Sequence, residues 1–145
     1  MRFSDSKGRE WAIGFTCRQV RMLDRELGLK SLDFAGQLWP AVNSTERLVD
    51  IVWCLVRDEA ERRAVPMEDF LEALNEKALV AARDCLLREY IAFFQSPTKQ
   101  SLLERLLSEM RTLQAVIERG IRTRLEALAT PTSGGPSSAV QAPSA

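Results

Sequence analysis

The sequence predicts a mainly α-helical fold with a small N-terminal β-hairpin. Three observations carry this reading. Apolar residues recur at three- and four-residue spacing from Val20 to Leu128, the pattern of helices with one buried face. Gly28, Pro40, Pro66 and Pro97 punctuate those runs where helices would stop or start. A period of two occurs only in the first fifteen residues, where Trp11, Ile13 and Phe15 alternate with Glu10, Ala12 and Gly14. The expectation is a compact bundle of about four to five helices in a single domain over 1–129, with a disordered tail over 130–145.

Residues 1–15 form the hairpin. Asp5-Ser-Lys-Gly8 is turn chemistry, Gly8 supplying a positive φ. A lone hairpin is marginal in water, so its apolar face must rest on the helices. A helix over about 17–27 follows, opened by the Thr16-x-x-Gln19 capping box and closed by Gly28. Val20, Leu23 and Leu27 face inward, and Arg18, Arg21 and Arg25 face elsewhere, a basic face of the kind that is usually solvated. Ser31 can cap a short helix over 32–38, ended by Trp39-Pro40.

The densest apolar run, Ile51-Val-Trp-Cys-Leu-Val56, lies in a helix over 45–63, and the chain is organised around it. Asn43-Ser44 precede it as capping residues. Leu48, Ile51, Val52, Leu55 and Val56 share one face; Glu46, Asp50, Arg57 and Glu61 line the other, and Trp53 falls on the polar side. Either another element such as the hairpin covers Trp53, or Trp53 meets a partner, Trp being enriched at binding hot spots. Asp58/Arg62 and Glu59/Arg63 are i,i+4 pairs with the acid first.

Residues 66–95 continue as helix, with Asn75 a candidate interruption. Leu79, Ala82, Leu86, Tyr90 and Phe93, widened by Val80, Leu87, Ile91 and Phe94, give an arc broad enough for two neighbours, one of them the central helix. Ser96-Pro97 stops this helix and starts the last, over 97–128. Leu103, Leu106, Met110, Leu113 and Ile117 keep helical spacing there, and the stripe thins beyond Gly120. The second half of this helix is long for the domain and is a candidate for pairing with another chain. Residues 130–145 are rich in Pro, Gly, Ser and Ala and carry no charge, so they bury too little apolar area to offset their ordering entropy.

Composition excludes several functions. Lys+Arg and Asp+Glu both number 20, so the net charge is zero and the basic excess of a general nucleic-acid binder is missing. There is no His, which removes His-based acid/base and nucleophile chemistry and nearly all catalytic zinc sites. Cys17, Cys54 and Cys85 have neither metal-ligand spacing nor an even count, and read as reduced core thiols of a cytoplasmic protein. No run of apolar residues is long enough to span a bilayer, and the first residues lack the apolar core of a signal peptide. There is no Gly-rich phosphate loop, Gly-x-Ser-x-Gly or Cys-x-x-Cys, and the acid pairs Asp58-Glu59 and Glu68-Asp69 sit beside helix ends and arginines. The reading is therefore no enzyme, no cofactor, no metal, no membrane and no nucleic acid. A helix-turn-helix fits residues 17–38 in outline, but the would-be recognition helix, Ser31 to Leu38, carries no Lys or Arg.

Taken in order, several pieces resemble one family. They are the Phe3-x-Asp5-x-x-Gly8-Arg9-x-Trp11 hairpin, the Thr16–Leu27 helix with its Gly28-Leu29 stop, and the Leu48-Val-Asp-Ile-Val-Trp-Cys-Leu-Val56 helix. Arg63-Ala-Val-Pro-Met-Glu-Asp-Phe70 and the long helix closing on Ile91-Ala-Phe-Phe94 complete the pattern. Over about residues 1–128 the chain is similar to tail assembly chaperones of long-tailed (siphovirus-like) bacteriophages and prophages. The resemblance implies a helical protein of virion morphogenesis, active in the host cytoplasm and absent from the mature virion. Its partners would be the tape measure protein and the tail tube protein; self-association is suggested separately, by the length of the 97–128 helix. The candidate contact residues are Trp53, Phe93, Phe94, Leu103, Leu106, Met110, Leu113 and Ile117, and core packing is the competing role for each aromatic. The alternative is a structural adaptor or small oligomer formed through the 97–128 helix.

Overall fold

A computed structural model describes residues 1–129. The chain is mainly α-helical behind a two-stranded antiparallel hairpin, as its periodicities predict. Strands β1 (Arg2–Ser4) and β2 (Glu10–Ala12) pair with Phe3 opposite Trp11. The turn closes through Asp5 N donating to Arg9 O at 2.9 Å and Gly8 N to Asp5 O at 3.1 Å, with Gly8 at φ 78°. Phe3, Trp11, Ile13 and Phe15 are all buried, so the alternation read from the sequence is the inward face.

Helix α1 (Cys17–Leu27) has the expected capping box of Thr16 and Gln19, and ends with Gly28 left-handed, its N–H donating to Asp24 O at 2.9 Å. The next stretch departs from expectation. Asp33 caps it by accepting from Gly36 N, whereas the Ser31 hydroxyl is buried without a hydrogen-bond partner. A π-helical turn over Phe34–Leu38 then runs straight into α2 (Trp39–Val42), so Trp39-Pro40 does not end the helix. Pro40 stands in the first turn of α2, where its missing N–H has no partner to lose. Phe34 and Leu38 are buried.

Helix α3 (Thr45–Arg62) is the centre, lying against α1, α2, β2 and the two helices that follow it. Leu48, Ile51, Val52 and Val56 are buried as the helical wheel predicts, together with Cys54 and Ala60, while Leu55 is half-buried. Ser44 occupies the cap position without a side-chain bond, and Asn43 reaches back to Trp39 O at 2.8 Å. Glu59 pairs with Arg63 at 3.5 Å as expected. Asp58 does not take Arg62; it takes Arg18 of α1 at 2.9 Å, because α1 lies alongside.

The end of α3 is a Schellman closure: Val65 N donates to Ala60 O at 2.8 Å and Ala64 N to Glu61 O at 3.1 Å. The residue that must turn left-handed is Ala64, at φ 54°, where a Cβ costs roughly 1–2 kcal/mol. Ala64→Gly should therefore raise stability by about 1 kcal/mol in urea denaturation, where an ordinary exposed Ala→Gly change would lower it.

The 66–95 helix is two helices, α4 (Met67–Ala73) and α5 (Glu76–Phe93). Asn75 divides them, its Oδ1 accepting from Ala78 N at 2.9 Å as a cap that competes with helix continuation. Helix α5 lies against α3 and β1, the two neighbours its wide apolar arc calls for. The last helix, α6, spans Pro97–Ala129 with Ser96 Oγ accepting from Lys99 N. The described residues thus hold six α-helices, against four to five expected, and the disorder expected for 130–145 lies outside them. Contacts divide the chain into two units, Met1–Gln100 and the residues from Ser101 onward, inside the 1–129 span expected as one domain.

Candidate interaction surfaces

The sequence-derived contact residues fall in three places. Trp53 is half-buried, its ring 5.4 Å from that of Phe70 on α4. Phe70 is fully buried and meets Trp11 edge-on at 5.1 Å. So α4 covers Trp53, and the hairpin is one ring further away. The Arg63 guanidinium lies 4.5 Å over Trp11, and Arg9 5.6 Å from it.

Behind Trp11 is a buried carboxylate that the periodicities do not reveal. Asp5 accepts from Lys7 N at 3.0 Å, Arg9 N at 2.9 Å, Arg9 Nε at 2.8 Å and Trp11 Nε1 at 2.9 Å. Burial pushes this carboxyl up, but the Trp11 indole and the Arg9 guanidinium and backbone N–H outweigh it and hold it below the ordinary range. The available signal was the Asp5-x-x-x-Arg9-x-Trp11 spacing, which a turn reading absorbs.

Phe93 and Phe94 come together at the end of α5, 5.2 Å apart and both half-buried. Phe93 meets Phe15 at 5.4 Å and Phe94 meets Tyr90 at 5.2 Å, so each has one packed side. No ring contact joins this cluster to Trp53 among the described residues.

Within α6, Leu103, Leu106 and Met110 are half-buried, whereas Leu113 and Ile117 are exposed at 61% and 53%. The exposed apolar residues do not stop there: Val116, Ile121, Leu125 and Leu128 continue them. From Leu106 through Met110, Leu113, Ile117, Ile121 and Leu125 to Leu128 the steps average about 3.7 residues, the spacing of an 11-residue repeat. The stripe therefore runs almost straight along the helix where a heptad seam would drift.

A fourth surface comes from residues read as merely solvated. Arg18, Arg21 and Arg25 of α1 and Arg57 of α3 line an open depression of about 770 Å³, together with Met22 and Cys17. One acid enters it: Glu26 takes Arg57 at 3.0 and 2.7 Å. The Arg57 guanidinium, and then the Cys54 thiol, hold the Glu26 carboxyl below its ordinary range.

Two of the three thiols are in the core as expected, Cys54 and Cys85; Cys17, the first residue of α1, is exposed. Burial, then the neighbouring Glu26, pushes the Cys54 thiol up to about 11, and burial also pushes Cys85 up. An alkylating reagent at neutral pH should modify Cys17 well before the other two, with peptide mass spectrometry reading the order. Equal labelling of all three would contradict the packing.

No cluster of His, Cys, Asp and Glu among the described residues could hold a metal ion, and no described helix is long and apolar enough to cross a membrane. Comparison with known protein families, with curated proteins and with solved structures returns no match to this chain.

Proposed function

We propose that this chain is a tail assembly chaperone of a long-tailed phage or prophage, acting by contact and without catalysis. The observation that supports it most is the exposed apolar stripe of α6, from Leu113 to Leu128. Such a stripe is matched by another amphipathic helix, anchored at i, i+3, i+4 and i+7. A tape measure protein, long and helical, offers that surface; the tail tube protein is a second partner. The resemblance in the hairpin, α1, α3 and α5 supplies the family.

The test is co-expression with the tape measure protein of the same phage. The soluble fraction of that protein should rise and the two should co-purify. Leu113→Asp with Ile117→Asp should abolish the effect while circular dichroism stays helical. No gain in solubility and no co-purification with the unmodified chain would sink the proposal.

The same stripe also suits a small oligomer built through α6. That reading predicts a concentration-dependent oligomer by light scattering, lost when the chain is truncated after Gly120.

A further inference from the structure

We propose that two copies of this chain associate through oppositely charged helix faces, the arginine face of α1 on one copy against the carboxylate face of α4 on the other. This interface is separate from the α6 stripe and does not rest on the chaperone reading.

Both halves of the contact lie in the Met1–Gln100 unit. Arg18, Arg21 and Arg25 stand at i, i+3 and i+7 on α1, all exposed, spread over about 10 Å of helix. Arg18 is shared with Asp58, but neither Arg21 nor Arg25 makes an ion pair among the described residues. Helix α4 is the reverse. Its seven residues include Glu68, Asp69 and Glu72, all exposed, and no Lys or Arg. None of the three is in an ion pair either. Of the nearby cations, Arg63 pairs with Glu59 and Arg9 with Asp5; the Arg9 guanidinium also donates to the Asp69 backbone carbonyl at 3.3 Å but takes no carboxylate of α4.

On these two helices the unpaired charge is thus of one sign each, cations on α1, where Asp24 and Glu26 are taken by Lys30 and Arg57, and anions on α4. Two unpaired guanidinium groups, with the shared Arg18 beside them, are set against three carboxylates, and Arg forks suit carboxylates bidentately. Each face also carries one methionine, half-buried Met22 in the α1 depression and exposed Met67 at the start of α4, which supply apolar contact between the charges. Association of this kind is salt-labile, because exposed pairs are screened.

Light scattering and sedimentation across a concentration series test it. The wild-type mass should rise with concentration at low ionic strength and return to the monomer in about 1 M salt, where the Debye length is about 3 Å. Arg21→Glu/Arg25→Glu and Glu68→Lys/Glu72→Lys chains, each checked for wild-type helicity, should be monomeric alone. Mixed one to one, they should associate again. A wild type that stays monomeric throughout, an association that survives high salt, a variant that associates alone, or a mixture that stays monomeric would each overturn the proposal.

Discussion

Phe70→Ala is expected to destabilise the Met1–Gln100 unit by about 3–5 kcal/mol, the usual result of emptying a buried aromatic site. Phe70 is fully buried and holds two other rings, Trp11 on the hairpin and Trp53 on α3. Its loss removes the piece that joins hairpin, α4 and central helix, and α4 is too short to stand alone. Trp53→Ala offers the contrast. Trp53 is half-buried with a single ring neighbour, so its truncation should cost clearly less, about 1–2 kcal/mol. Chemical denaturation of both variants measures the gap. A Trp53 variant as unstable as the Phe70 variant would make Trp53 a core residue and remove it from the contact candidates.

Asp5→Ala should cost about 3 kcal/mol, because it leaves the buried Trp11 indole N–H and the Arg9 Nε–H without their acceptor. Asp5→Asn, which keeps an acceptor for Trp11 and loses the charge, should fall between. The same carboxylate sets a pH dependence. Its folded pKa lies below its ordinary value of 3.8, so the unfolded chain holds the proton more tightly. The stabilisation is fully present above pH ~4 and is lost as pH falls through the folded value. Stability measured from pH 6 down to 3 should therefore drop more steeply in wild type than in Asp5→Asn. Parallel curves would show that Asp5 carries no linkage.

Much of the fold is legible in the sequence because its elements obey local rules. Thr16 with Gln19, Gly28, Ser96 before Pro97, and the alternation up to Phe15 each dictate a boundary from side chains within a few residues. The departures come where local rules compete. Pro40 reads as a stop, yet a proline in the first turn is compatible with a new helix. Asn75 serves as a cap and not as an interior residue, its side chain taking Ala78 N in place of the continuing helix. Asp58 has a favourable partner four residues on, yet Arg18, forty residues away in sequence, is the one it meets. The interaction surfaces follow the same division. The α6 stripe is visible as a period, whereas the arginine depression requires knowing that Arg57 of α3 comes alongside α1.

The hairpin is tied almost wholly to residues made long after it. Ser6 N donates to Ala73 O, Arg63 reaches Glu10 O, Ala12 N donates to Glu59, and Cys85 reaches Arg2 O. During synthesis, then, the hairpin has nothing to pack on until α3 and α4 have followed it, and β1 is covered only when α5 arrives. Until then Phe3 and Trp11 are open to solvent, and the nascent chain is vulnerable to misassociation at the hairpin. The strands are thus made before every helix that fixes them.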